Sequence, residues 1–485
     1  QPHRRLTVPD AAGMRLFVAT VLAAAAGLGS ASFCPLPAHA RGGRLQSLVC
    51  ENATTTFLRG PAAQTKTTPL DYNDVNAGDF QQRYWVNTDH WDQASGPLFL
   101  SVGGEGPAHA PSGWGVELAK TFKGAIATLE HRFYGESLPA GGPAVALGMD
   151  KIKYLTVAAA LQDLNEGIDH IVQQIGADPS IPVVLIGGSY PGALVGWHRV
   201  AYPSKTVAGI SSSGVVHSIL EYTAFDQAVA QALPSSCADV VRATTAAFDQ
   251  ADAAGGAAAA AARALFGSPA TMSVPDFAYM LADSAAMAAQ YGTKDELCSA
   301  LKPSNDPNVL MQQFADFTNA HYGTSFGSNC FYDTDCLINR PNDWQPTSRS
   351  WRFQKCSEMA WLQTAPATGS LRSASLTIEA LKQQCQDIFG MDTPTVDAIN
   401  AAYGGDKPST SWVFYSQGSD DPWKPAGINH TLSSTLREFT ANCDGCGHCK
   451  DLHSPSSSDP EVIRHQRQLE VAFLDDVLRL HRRSA

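Results

Sequence analysis

The chain has 485 residues, 44% of them hydrophobic and 16% charged, which is too apolar for a solvated tail and longer than one ordinary hydrophobic core. Either two domains or one domain carrying a large insertion is expected. A formal net charge of −12 excludes nucleic acid as a partner, because that binding draws its affinity from clustered Lys and Arg.

At the N-terminus, Met14-Arg15 opens an apolar run from Leu16 to Gly29, followed by Pro37-Ala38-His39-Ala40. A basic start, a short apolar stretch and small residues at −3 and −1 predict a leader and signal peptide over residues 1–40. The run is too short and too rich in Ala and Gly to favour a membrane anchor, so no membrane association is expected after cleavage. Of eleven cysteines, loss of Cys34 leaves ten, and an even number in an exported chain predicts disulfides. The sequons at Asn52 and Asn429 mark both as glycosylation acceptors in the same compartment.

From about Gln81, short apolar runs alternate with helical patterning, which implies a parallel α/β sheet. Strands are predicted at 97–102 and 125–130, a helix at 157–174, a buried strand at 181–186, a helix at 192–202 stopped by Pro203, and a strand at 207–211. This first part of the core spans 50–214. Residues 215–403 are mostly helical, include an alanine-rich tract at 251–264 read as a solvent-facing helix, and are expected to form a disulfide-stapled cap. The core resumes over 404–485, with a strand at 411–415 and a closing amphipathic helix at 462–480.

The chemistry begins at Val183-Val184-Leu185-Ile186-Gly187-Gly188-Ser189-Tyr190-Pro191-Gly192, where a buried strand meets two glycines, a serine and a helix. So tight a strand-to-helix turn lifts the serine hydroxyl above the sheet, and the preceding glycines remove side chains that would clash. The G-x-S-x-G spacing is not met, because Pro191 holds the second glycine position.

A serine nucleophile needs a base and an acid that orients the base, and in α/β hydrolases these follow the serine in the order acid, then histidine. The strand at 411–415 runs into a loop bearing Asp420 and Asp421, and His448 lies shortly before the last helix. Oxyanion donors are expected from the amide of Tyr190 and from Gly104 in the loop Gly103-Gly104-Glu105-Gly106-Pro107. Cys443, Cys446 and Cys449 beside His448 have the donor types of a zinc site, but the exported context favours bridges, so no metal or cofactor is assigned.

Taken in order, Phe80-Gln81-Gln82-Arg83-Tyr84-Trp85, Gly103 to Pro107, Glu130-His131-Arg132-Phe133-Tyr134-Gly135, Gly187 to Tyr190, Asp421-Pro422-Trp423 and the stretch from Trp351 to Thr364 resemble one family. It is the family of lysosomal Pro-Xaa carboxypeptidase, dipeptidyl peptidase II and thymus-specific serine protease, and the chain is most similar to the last of these. The resemblance implies an α/β-hydrolase core with a helical cap. It also implies Ser189 as nucleophile, Asp421 rather than Asp420 as acid, and His448 as base. Cleavage would fall on the carboxyl side of proline, releasing either a carboxy-terminal residue or an amino-terminal dipeptide. Glu105, Glu358 and Trp423 are the expected substrate-binding residues, with an ion pair to a buried arginine as the competing reading of Glu358. Glu130 and Arg132 are read as structural, and Lys355 departs from the family's cap motif. The expected partners are peptides with a proline near one terminus, with a homodimer possible, in a lysosomal, vacuolar or extracellular location. An esterase or lipase on the same fold, or an exported binding protein without catalysis, are the alternatives.

Overall fold

The computed structural model of the protein describes residues 61–484. The expected signal peptide and the Asn52 sequon lie outside the described residues. One sheet of eight strands organises the molecule: β1 (Gln64–Pro69), β2 (Asp79–Asn87), β3 (Leu98–Val102), β4 (Ala125–Leu129), β5 (Val183–Gly188), β6 (Ala208–Ser212), β7 (Val413–Gly418) and β8 (Leu436–Ala441). Their order is β1-β2-β4-β3-β5-β6-β7-β8. Pairing is antiparallel for β1 with β2 and for β2 with β4, and parallel everywhere else.

The central strands are apolar on both sides because helices cover both faces. Leu98, Leu100, Leu129 and Leu185 pack with Leu161, Leu164, Ile168 and Leu194, while Phe99, Ile126, Val184 and Ile210 pack with Leu118, Phe473 and Leu474. The first set comes from α2 (Val157–Gln174) and α3 (Tyr190–Ala201), the second from α1 (Gly113–Phe122) and the closing α5 (Glu461–Ser484). This three-layer arrangement, with its strand order, is the α/β-hydrolase fold. Among the described residues no helix is long and apolar enough to cross a membrane.

Between β6 and β7 the chain is helical, with α4 (Val274–Gln290) the helix that bears on the site. Disulfides join Cys237 to Cys298, Cys330 to Cys336 and Cys356 to Cys385 within this stretch.

Several local expectations need correction. The alanine tract is two helices, Ser235–Ala254 and Gly256–Ala264, broken where Gly255 and Gly256 both take positive φ. It is also not wholly solvent-facing, since Arg263 is buried and pairs with Asp252. As the exported context favours, Cys443 and Cys446 are bonded to each other, which removes two of the three thiols from any metal site. Among the described residues Cys449 has no disulfide partner. Strands β1, β2 and β8 were not separately foreseen. The last is a half-exposed LREFTA segment without the apolar run that marks a buried strand.

Candidate active site

In a parallel sheet the loops after the strands gather at one end, the C-terminal edge where such folds place their chemistry. The loop after β3 carries Gly104 and Glu105, that after β5 Ser189, that after β7 Asp421, and that after β8 His448. Ser189 sits at φ 63°, ψ −130°, backbone angles that an L-residue adopts only under constraint. The constraint is crowding. A Cβ on Gly187 would come within 2.3 Å of the Pro191 carbonyl oxygen, and one on Gly188 within 2.7 Å of Cys449 Sγ. The serine side chain does not cap α3, which leaves its hydroxyl uncommitted to the helix. Pro191 in place of the usual glycine is tolerated because it occupies the first turn, where a helix lacks a partner for its N–H.

Asp421 is fully buried, and its Oδ2 lies 2.8 Å from His448 Nδ1. Its other oxygen accepts the Trp423 N–H at 2.9 Å, which sets the plane of the carboxylate. A carboxylate can only accept here, so Nδ1 carries the proton and Nε2 is the free lone pair. Nε2 is buried and has no hydrogen-bond partner among the described residues. Burial opposes charge on the ring, yet the Asp421 carboxylate and Cys449 together hold the His448 pKa well above the usual imidazole value. The elbow and the histidine loop touch through Ser212, whose carbonyl accepts the Ser189 N–H at 2.9 Å and lies 3.7 Å from Cys449 Sγ. Asp420 turns away. It forms an ion pair with Lys294 at 2.7 Å and accepts the Gly445 N–H at 2.8 Å.

Tyr190 is the first residue of α3, so no preceding turn can accept its amide proton. Gly104 packs directly on the elbow, where a Cβ would meet Pro191 Cγ at 2.3 Å. Glu105 is half-buried. Desolvation pushes its carboxyl above the usual range, while the charge of His448 and the Ser189 hydroxyl pull it back toward ionisation, which places it beside both. Trp423 is partly exposed and sits among Tyr222, Phe225 and Trp361, with ring centroids 4.9 to 6.3 Å away.

Among the described residues Glu358 makes no arginine pair. Its Oε2 accepts the Val157 N–H at 2.7 Å at the start of α2, and burial lifts its pKa to about 7. The structural reading of Glu130 and Arg132 fits the contacts: Arg83 and Ser137 saturate the first, and Asp163 grips the second through two 2.6 Å bonds. Asn429 is exposed, as a glycosylation acceptor must be. Sequence reasoning missed Gln290, whose backbone carbonyl accepts the His448 N–H at 2.8 Å and whose side-chain oxygen accepts the Trp423 indole at 3.2 Å. It is the last residue of α4, and no local motif marks it.

The model of the family described as serine carboxypeptidase S28 matches residues 69–470. A probable serine protease of Arabidopsis thaliana is 29% identical over 419 residues, 82% of this chain and 84% of that protein. Human thymus-specific serine protease is 27% identical over 446 residues, covering 85% and 86%. Mouse lysosomal Pro-X carboxypeptidase is 26% identical over 423 residues, covering 81% and 84%. Among solved structures, a proline iminopeptidase of Mycobacterium smegmatis superposes with a TM-score of 0.39 at 15% identity, covering 86% of this chain and 99% of that one. Because the family match runs from the end of β1 into α5 and takes in every strand-end loop described above, the chain belongs to the serine carboxypeptidase S28 family and is a serine peptidase.

Proposed function

We propose that Ser189, His448 and Asp421 act as a catalytic triad that hydrolyses short peptides on the carboxyl side of proline. The observation that carries this reading is the buried 2.8 Å Asp421–His448 pair with its unpartnered Nε2, beside a serine held at positive φ. His448 Nε2 takes the Ser189 proton as the oxygen attacks the peptide carbonyl, and the amides of Tyr190 and Gly104 receive the developing oxyanion. The imidazolium then protonates the leaving amine. Water, deprotonated by the same nitrogen, releases the acyl group and restores the serine.

Proline preference is supported by the aromatic group around Trp423. A proline ring is compact and its nitrogen has no N–H, so flat apolar walls accept it without leaving a donor unsatisfied. The mouse relative, a lysosomal Pro-X carboxypeptidase, points the same way. Glu105, beside the nucleophile, is the group assigned to hold the peptide near its end. Residues 215–403 serve as the cap that limits access to chain ends. The disulfides support a secretory-pathway setting. We assign it to a lysosomal, vacuolar or extracellular setting, with Asn429 glycosylated.

The test is hydrolysis of two reporters, an Xaa-Pro amide with a free N-terminus and a Pro-Xaa peptide with a free C-terminus, by the native protein and by Ser189→Ala. Cleavage of either by the native protein alone is expected, and the reporter consumed tells which end is read. Silence on both from folded protein rejects the proline specificity, and equal cleavage by Ser189→Ala rejects the nucleophile.

A further inference from the structure

The motif Glu130 to Gly135 supplies two residues that the proposed mechanism does not use, His131 and Tyr134, and both lead to Tyr190. His131 Nδ1 lies 2.7 Å from the Arg132 carbonyl oxygen. A carbonyl only accepts, so Nδ1 carries the proton. Burial lowers the His131 pKa to about 4, which keeps the ring neutral and makes Nε2 an acceptor. Its partner, 2.9 Å away, is the Tyr190 hydroxyl, which therefore donates. With its one proton spent, the Tyr190 oxygen accepts from Gln354 Nε2 at 2.8 Å. That contact sets the orientation of the Gln354 amide, and its Oε1 accepts the Tyr134 hydroxyl at 2.5 Å. Each donor is used once, all four side chains are buried, and the direction of every bond follows from the carbonyl at one end.

Tyr190 is further wedged by the rings of Trp197 and Trp351, at 6.4 and 5.8 Å between centroids. Trp351 and Gln354 belong to the stretch between β6 and β7, whereas His131 and Tyr134 follow β4. The chain of bonds thus runs from the core, through the side chain of the residue after Ser189, into the inserted helices.

We propose that Tyr134, Gln354 and His131 are positioning residues that lock the Tyr190 side chain and thereby aim its backbone amide at the oxyanion formed on attack by Ser189. The inference rests on the assignment of Ser189 as nucleophile. A side-chain lock on the first helical turn fixes the N–H vector of that turn, and a hydrogen bond to a developing charge weakens steeply when misaligned.

The experiment compares native protein with Tyr190→Phe, Gln354→Leu and their double variant. It follows the rate of covalent labelling by a fluorophosphonate, which makes an oxyanion-like adduct on an activated serine, together with kcat and KM on whichever reporter is cleaved. Each single variant is expected to lose about ten-fold to a hundred-fold in labelling rate and kcat with KM little changed, somewhat less than outright removal of an oxyanion donor. The double variant should be no worse than the poorer single one, since either change breaks the same chain. A rise in KM at constant kcat, or additive losses, overturns the inference, as does labelling at the native rate. If one variant fails to fold, His131→Gln replaces it under the same criteria. Native protein that is not labelled at Ser189 at all overturns the nucleophile assignment and this inference with it, whereas a labelled native protein separates the two failures.

Discussion

A serine hydroxyl ionises far above neutral pH, so in the proposed triad Ser189 gains reactivity only through a base whose own proton is held in place. Asp421 does two things to that base. It keeps the proton on Nδ1, which leaves Nε2 as acceptor, and its charge raises the His448 pKa against the opposing effect of burial. Replacing Asp421 with Asn keeps shape and removes charge. The amide can present an N–H to Nδ1, which favours the wrong tautomer, and a loss of about 10⁴-fold in kcat is expected. The acid side of the pH–rate profile should also move. A raised pKa means that His448 is protonated, and inactive as a base, until the pH climbs past that raised value. Without the carboxylate the limb shifts to lower pH. A kcat/KM profile for Asp421→Asn with the native acid limb would show that another group governs it. The neighbouring Asp420 is the control: tied to Lys294 and the Gly445 amide, it should cost stability when changed and leave the limb where it is.

The histidine loop is held from below by the closing helix. Asp451, three residues after His448, accepts the hydroxyls of Ser212 at 2.5 Å and Ser416 at 2.7 Å, and its carbonyl accepts Arg467 Nε at 2.7 Å. Beside it, Glu470 of α5 is fully buried and accepts the Trp114 indole at 2.6 Å. Burial, and then the charge of Asp451, raise the Glu470 pKa well above the usual carboxyl value, so the side chain is held as a neutral acid. A pKa raised on folding contributes stability that is complete below the unfolded value of about 4.5 and is lost as pH rises through the folded one. Glu470→Gln keeps the acceptor for Trp114 and cannot ionise. Its melting temperature should therefore decline less than that of the native protein between pH 5 and pH 9, and parallel declines would refute the neutral acid. Such a contact was out of reach of sequence reasoning, since nothing local ties residue 451 to residue 470. What was legible has a physical reason. Strands β3 to β7 are short apolar runs, the elbow is written in adjacent residues, and the fold's order of serine, acid and histidine pointed to the Asp420-Asp421 loop and to His448, with the family resemblance singling out Asp421. Gln290, Gln354 and the cap of α2 by Glu358 depend on contacts between distant segments, and no periodicity reports those.

For the molecule as a whole, the question is whether the helical insertion behaves as a separate body. Three disulfides lie inside it and the fourth lies in the loop before His448. Among the described residues none joins the insertion to the sheet. The joints are non-covalent but buried. Lys294 pairs with Asp420, and the Gln290 carbonyl holds the His448 amide. The Tyr222 hydroxyl donates to the Trp423 carbonyl at 3.1 Å, and Gln354 reaches Tyr190. The described residues accordingly lie in one compact unit. If these joints set the cooperativity, weakening the insertion weakens everything at once. The Cys237–Cys298 bridge closes the longest loop, with a sequence separation of 61, and chain entropy assigns such a loop about 4 kcal/mol. Cys237→Ala combined with Cys298→Ala should therefore lower the midpoint of unfolding while leaving a single calorimetric transition, with reporter hydrolysis lost at the same temperature. Two resolved transitions, with far-ultraviolet dichroism of the sheet surviving the first, would mean that the insertion melts on its own. The catalytic loops would then rest on a support that can leave without unfolding the core.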